Sequence, residues 1–494
     1  MHLIPLTMRI ATAALLLSLA GAIAVACQKE PPPENVRPVD FGGAGVDGTS
    51  GTSSGDNGSG SGATSGEGAN SGDGDGDGPG DGDGDGEGPG DGDGEGPGDG
   101  DGEGPGDGDG EGPGDGDGEG PGDGDGDVDP WPTPAFTKRG LLESTGTCVR
   151  LHFEEFLERA EALQDATDAH ENDPSEATLE AARNAWLAAF ASWQRAEAFR
   201  IGPAVKTSEP GGQGLRDEIY AFPHISRCEI DANTVAQTYA SGVSSLPANQ
   251  RGIGAVEYLL FQSTASNECP TPNPINKSGT FAALGTSGVL QRRASYAAKA
   301  VDDIVARART LVNAWDPAQG DYYGTFVEAG DGSAVYATQQ AAFQSMNEAL
   351  YYIELDLKDT KLGVPLEIKD PCGAICFKQL EARFAGVSIE AMQQNLVGVR
   401  RFFQGCGPSY SGLGFDDWLI DIGSEELAAD MIAALENAQT TFEGVDSLEQ
   451  AFASDPAQVM ALYNVIKGFT DLLKTQFITV LHLDPPPAAG IDTD

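Results

Sequence analysis

Positive charge is scarce in this chain. Twenty-nine Lys and Arg stand against 77 Asp and Glu over 494 residues, a formal net charge of −48. A surface of that sign repels nucleic acid and anionic lipid headgroups, so neither is an expected partner. Histidine is scarcer still, with five residues: His2 near the start, then His152, His170, His224 and His482. No HExxH occurs, nor any nearby pair of histidines at i and i+4, so the two ligands and general base of a zinc-peptidase helix are missing. CxxCH, which attaches haem, is absent as well. There is no Walker loop, and the G-x-G at Gly252 and Gly254 lacks the third glycine and the preceding strand of a dinucleotide site. Alternating strand patterns are nearly absent, which argues against sheet folds. After the first 30 or so residues, no apolar run approaches the roughly 20 residues that span a bilayer.

What is present begins with MHLIPLTMRIATAALLLSLAGAIAVACQKE, a sparse basic start at Arg9, an apolar run and small residues leading to Cys27. Its length reads as an export signal, residues 1–26, rather than a spanning helix. AVAC resembles a bacterial lipobox, whose cysteine is lipidated and becomes the mature N-terminus. Cys27 is therefore the expected lipidation site, its lipid the expected membrane anchor, and an outer membrane lipoprotein facing the periplasm or cell surface the expected location. Residues 27–131 follow as a linker of Gly, Asp, Glu, Ser and Pro in which GDGDGEGP recurs. Almost nothing there is apolar enough to offset an ordering entropy of roughly 1–2 kcal/mol per residue, so a disordered acidic spacer is expected. Its Asp-Gly alternation resembles calcium-binding loops. It lacks the aliphatic residue per turn of a β-roll and the bidentate Glu before a helix of an EF-hand.

Apart from Cys27, the cysteines are Cys148, Cys228, Cys269, Cys372, Cys376 and Cys406. An even number in an exported chain points to three disulfides. Cys372 and Cys376, in CGAIC, are close enough to pair locally, and Cys228 with Cys269 is the next pairing expected. Zinc at CGAIC has no second CxxC or nearby His to complete four ligands.

The remaining region is too long for one ordinary core and its periodicity is helical. Val149, Phe153, Phe156, Leu157, Ala160 and Leu163 form one amphipathic stripe, and Met346, Leu350, Ile353 and Leu357 another. Asp173 and Pro174 supply a cap and a first-turn proline for a helix through PSEATLEAARNAWLAAFASWQRAEAF. SEELAADMIAALENAQTTF and a stretch from Pro456 to His482 complete the long helices. The expectation is an all-α protein of two helical bundles, residues 132–365 and 366–494. Their joint lies near LKDTKLGVPLEIKDPCGAIC, whose prolines and glycines interrupt helix.

GIGAVEYLL at 252–260 and GLGFDDWLI at 412–420 share one pattern: glycine, aliphatic, glycine, two variable positions, an acid, an aromatic and two aliphatics. The two bundles therefore read as copies related by internal duplication. Glu257 and Asp417 take equivalent places in that alignment, and the expectation is that both approach a common cleft as metal ligands.

Four stretches carry a resemblance to a known family: AWLAAFASWQRAEAFRIGP from Ala185, GLRDEIYAFPHISRC from Gly214, RGIGAVEYLLF from Arg251 and the ending LHLDPPPAAGIDTD. The chain after about residue 145 resembles the imelysin family of exported bacterial proteins. That resemblance implies duplicated helical bundles and an association with iron uptake, with iron-uptake components as partners and a divalent metal or iron as cofactor. The family signature G-x-H-x-x-E, the source of a metallopeptidase label, is matched by Gly252 and Glu257, whereas the histidine position holds Gly254. Glycine offers no ligand, and a lone carboxylate does not hold a transition metal selectively. A non-enzymatic protein binding a metal, an iron chelate or a partner is therefore favoured over a metal-dependent peptidase or a surface interaction module. Trp193, Glu197 and Arg200 are spaced to share a helix face, and Arg216, Asp217, Glu218, Tyr220 and His224 cluster nearby in sequence. Glu197, Arg200, Arg216, Glu257 and Asp417 form either a polar binding cleft or a buried ion-pair network that fixes helix register. His152 stands three residues before Glu155 and reads as half of a surface pair. Trp186 and Phe190 read as core.

Overall fold

The structure, a computed structural model, describes residues 135–369, 377–487 and 489. The chain divides into two units, residues 1–116 and 117–494, and every described residue belongs to the second. The export signal, Cys27, the acidic linker and the CGAIC pair Cys372 and Cys376 lie outside the described residues.

Thr137 opens the first helix by accepting the Gly140 N–H at 2.9 Å. Helix α1 then runs Lys138–Asn172 and buries Val149, Phe153, Phe156, Ala160 and Leu163 of the stripe that its spacing predicts, with Leu157 partly buried and Leu141 added to the same face of the core. Helix α2, Glu176–Ala196, starts later than Asp173–Pro174 suggests. Asp173 closes α1, and Ser175 with Thr178 forms the capping box of α2, satisfying two amides that Pro174 leaves to its successors. Short helices α3 (Leu215–Ile219), α4 (Arg227–Ala236), α5 (Ile253–Phe261) and α6 (Pro274–Lys277) occupy the connection to α7 (Gly285–Trp315). Helix α1 packs along both α2 and α7, and α5 packs on α7 and α2.

Helix α8 (Tyr322–Val327) precedes α9 (Gln339–Leu350), which leads into a π-helix at Ile353–Gly363. The single helix expected through Met346 and Leu357 therefore changes winding, and LKDTKLG, expected to interrupt helix, belongs to the π-helix. Wider turns of this kind are concentrated at functional positions. A second group follows: α10 (Ser388–Gln404), α11 (Phe415–Asp421), α12 (Glu425–Glu443), α13 (Leu448–Ser454) and α14 (Pro456–Leu472), the last continuing through a π-turn at Leu473–Phe477 into α15 (Ile478–Leu481).

Helix α12 packs on α10 and α14, while α10 packs on α2. At that crossing a Cβ on Gly398 would sit 2.3 Å from the Arg195 carbonyl oxygen, so glycine sets how closely the helices approach. Residues on both sides of the 365/366 boundary share one apolar core. Phe199 meets Phe402 edge-on at 5.2 Å, and Phe402 meets Phe415 at 6.0 Å. Trp186 and Phe190 stack within it at 4.5 Å, as core residues should. Disulfides join Cys228 to Cys269, as expected, and Cys148 on α1 to Cys406 after α10. The described residues are all-helical with no strand, and none of their helices is long and apolar enough to cross a membrane.

Candidate functional site

Where α2 ends, the sequence places charge that the fold then buries. Glu197 is the C-cap of α2, so Arg200 reaches its neighbours from the turn beyond the helix and not from a shared helical face. Arg216, on α3, donates from Nη2 to Glu197 Oε1 at 2.6 Å and from Nη1 to Asp217 at 2.8 Å. Arg200 pairs with Asp356 of the π-helix at 2.5 Å and lies 4.7 Å from the Tyr352 ring centroid. Tyr352 donates its hydroxyl to Glu197 Oε2 at 2.8 Å. Lys361, one π-helical turn beyond Asp356, is buried among Gln194 (2.7 Å), Asn395 (2.8 Å), Glu381 (2.9 Å) and Glu197 (3.4 Å). Tyr220 closes the set by donating to Glu381 at 2.8 Å.

Burial alone would raise the Glu197 carboxyl, but Lys361, Arg216 and Arg200 overcome it and hold the group at about 2. Burial raises Glu381; Lys361 opposes that rise and the charge on Glu197 adds to it. Burial beside these carboxylates also pushes the Tyr220 and Tyr352 phenols well up, which keeps both as hydrogen-bond donors. Ion pairs this deep tolerate burial best when their remaining valences are filled; here most are, while Arg200 Nε and Arg216 Nε are buried without a hydrogen-bond partner. The network fixes positions; its exposed edge is where chemistry can occur.

That edge is a cavity of roughly 1020 Å³, at the upper end of small-molecule sites. Arg200, Arg216, Asp217 and Asp356 line it with His224 and Lys206, over apolar surface from Phe222 and Leu355. Of the five residues expected to form a polar cleft or ion-pair network, Glu197, Arg200 and Arg216 thus meet in or beside one cleft, with His224 in its wall.

Glu257 and Asp417 are not joined by any bond or shared partner. Glu257 is buried and accepts the Phe384 N–H at 2.8 Å and the Ala385 N–H at 3.3 Å. Burial keeps its carboxyl above the usual range against Arg227 and those amides. Asp417 instead accepts the Gly414 N–H at 2.9 Å and caps α11. The two motifs also enter their helices in different registers. Helix α5 begins after the first glycine, Gly252, at φ 79°, and α11 after the second, Gly414. Glu257 is therefore a helix-interior residue and Asp417 a first-turn residue, which overturns their expected equivalence. Position 254 is crowded as well: a Cβ there would meet Ile225 Cδ1 at 2.7 Å and Tyr220 Cε2 at 3.1 Å, so any side chain requires Ile225 to move. A metal at this signature does not fit the residues present.

His152 is not a surface residue. It is buried, its ring stacks on Phe199 at 4.6 Å, and Glu155 pairs with Arg195 at 2.5 Å instead. Burial, with Arg401 and Arg195 adding, pushes its imidazole down to about 3. Asp356, Lys361, Glu381, Gln194 and Asn395 carry no spacing or motif that marks them in the sequence as members of this site. Two acids and two bases within DLKDTK were the available signal, all but Asp356 falling in the stretch read as a joint between bundles.

Comparison with known proteins agrees with this architecture. The family model Imelysin (Peptidase_M75) matches residues 150–476. Iron-regulated protein A of Synechococcus elongatus is 28% identical over 214 residues, covering 43% of this chain and 50% of that protein. The chain thus spans about half the length of this curated relative. A structure described as an iron-regulated protein A precursor, from Parabacteroides distasonis, aligns with TM-score 0.54 at 14% identity, over 69% of this chain and 95% of that one. At that identity the likeness shows a shared fold. An imelysin-like protein from Psychrobacter arcticum aligns with TM-score 0.46 at 18% identity, over 72% and 98% of the two chains.

Proposed function

The chain belongs to the imelysin family, and from that premise we propose that it is an exported, lipid-tethered binding protein with an iron-related role. It holds an iron chelate in the Arg200–Arg216 cleft and releases it unchanged. The observation that carries this reading is the sharing of Arg200, Arg216 and Asp356 between the cleft wall and the buried network. Guanidiniums held in place by buried partners lose little freedom when they grip carboxylates, the usual periphery of an iron chelate. The relative named as iron-regulated supports the iron-related part. Binding without turnover is supported at position 254, where Ile225 fills the space of the missing histidine and Glu257 is committed to two amides. Export and tethering rest on the lipobox-like AVAC and Cys27, and the proposed partners are iron-uptake components at the same membrane.

Calorimetric titration of the full chain with ferric citrate, and with citrate alone, tests the binding. Saturable binding of the ferric chelate is expected, weakened at least about tenfold by Arg200→Gln, the worth of one charge-assisted contact. No binding, or metal-dependent peptide cleavage by the same preparation, would overturn the reading. Detergent phase partitioning tests the tether: Cys27→Ser moves the protein to the aqueous phase, and an unchanged detergent fraction contradicts lipidation.

A further inference from the structure

A second concentration of reactive side chains lies outside the cleft lining. Cys148 and His152, four residues apart on one face of α1, meet Cys406 from the loop after α10, and their ligand atoms all lie within 4.8 Å of one another. Among the described residues this is the one grouping of three or more metal-capable side chains. The sulfurs are joined as a disulfide. His152 is 3% exposed, and its Nδ1 is buried without a hydrogen-bond partner. Buried polar atoms are seldom left unpaired without a use. Phe199, stacked on the imidazole at 4.6 Å, fixes the plane of the ring. Cys406 is only partly buried and lies between Gly405 and Gly407, so the cluster has an approach from outside.

We propose that Cys148, Cys406 and His152 form, once the disulfide is reduced, a three-coordinate site for a soft d10 cation, Cu(I) foremost and Zn(II) next. Two thiolates and an imidazole select soft and borderline cations, and no carboxylate belongs to the set to favour a hard one. The redox step balances as a thiol–disulfide exchange. A dithiol reductant supplies two electrons and two protons, the S–S bond breaks to two thiols, and the reductant closes its own disulfide. Cation binding then releases both thiol protons to solvent. Two thiolates around Cu(I) leave one net negative charge, which the neighbouring Arg195 and Arg401 offset. Oxidation removes both sulfur ligands at once and closes the site. The inference is independent of the cleft, since none of the three residues lines it.

The test uses the full chain, reduced without oxygen by a trialkylphosphine that takes its oxide oxygen from water. It is titrated with Co(II), a coloured stand-in for Zn(II), and with Cu(I) against a chromophoric competitor. One equivalent of Co(II) bound with a sulfur-to-cobalt charge-transfer band is expected in the reduced chain, and no such band in the oxidised chain. His152→Gln lowers the affinity by roughly a hundredfold, whereas Cys228→Ser with Cys269→Ser, or Cys372→Ser with Cys376→Ser, leaves it unchanged. In the reduced wild type, bound Cu(I) slows alkylation of Cys148 and Cys406 but not of Cys228 and Cys269, a readout that needs no substitution to fold. Equal alkylation with and without metal, or full affinity in His152→Gln, overturns the proposal. So does a reduced chain in which Cys148 and Cys406 no longer stay together, because it too gives no protection.

Discussion

Gly254 and Ile225 divide between them a space that only one side chain can fill. Restoring a histidine in Gly254→His drives its Cβ to 2.7 Å from Ile225 Cδ1, an overpacking expected to cost about 1–3 kcal/mol. Adding Ile225→Ala should return part of that loss in urea unfolding, and additive penalties would contradict the shared-space account. Glu257→Ala should cost about 1–3 kcal/mol by stranding the Phe384 and Ala385 amides, with chelate affinity unchanged. At Asp416 the prediction concerns pH. Burial, with the charge of Asp417 adding, raises its carboxyl from 3.8 to about 7. Between those values the native state keeps a proton that the unfolded chain has released, so this group lowers stability as pH rises through the window. Asp416→Asn should flatten that fall and be relatively more stable at about pH 8; an unchanged slope contradicts it. Part of this scale was legible in the sequence, since Glu197 and Arg216, singled out in the family-like stretches, do pair and Arg200 stands beside them, although not on the helix face that its spacing suggested. The acid read as a ligand, Asp417, is a cap, because the role of a carboxylate depends on which amide points at it.

Among the elements, the long α-helices were readable because each buries a stripe at three- and four-residue spacing. The π-helix at Ile353–Gly363 was not, since its apolar residues fit ordinary helical spacing and its extra residue per turn leaves no compositional mark. That winding presents both Asp356 to the cleft and Lys361 to the buried carboxylates. The repeated glycine motif also misled at this scale, because where a helix begins depends on the entering backbone. At Gly252 a Cβ would lie 2.5 Å from the Ile219 carbonyl oxygen, at a φ of 79° that favours glycine, so the chain must turn into α5 there. The crossing of α2 and α10 is the element-level prediction. Gly398→Ala pushes against the Arg195 backbone at 2.3 Å, and separating the helices should cost at least about 1–3 kcal/mol. A wild-type urea midpoint for Gly398→Ala would show that the backbones do not touch there.

For the whole molecule, the Cys148–Cys406 disulfide closes a span of 258 residues and Cys228–Cys269 one of 41. In the chain-entropy view these contribute about 5–6 and about 4 kcal/mol, so Cys148→Ser with Cys406→Ser should lower the unfolding midpoint more than the other pair. A larger loss from Cys228→Ser with Cys269→Ser would mean that native strain or residual unfolded structure outweighs loop length. The same long span gives the reduced site its leverage, since a bound cation would again tie α1 to the end of α10. The central claim is that ligand binding belongs to the cleft below α2 and not to the family signature on α5. Hydrogen–deuterium exchange of the full chain, with and without ferric citrate, tests it most directly. Slowed exchange confined to residues 200–224, 247–249 and 348–356 is the predicted result; slowing across 252–261 and 384–385, with the cleft unchanged, would place the ligand at Glu257 and contradict it.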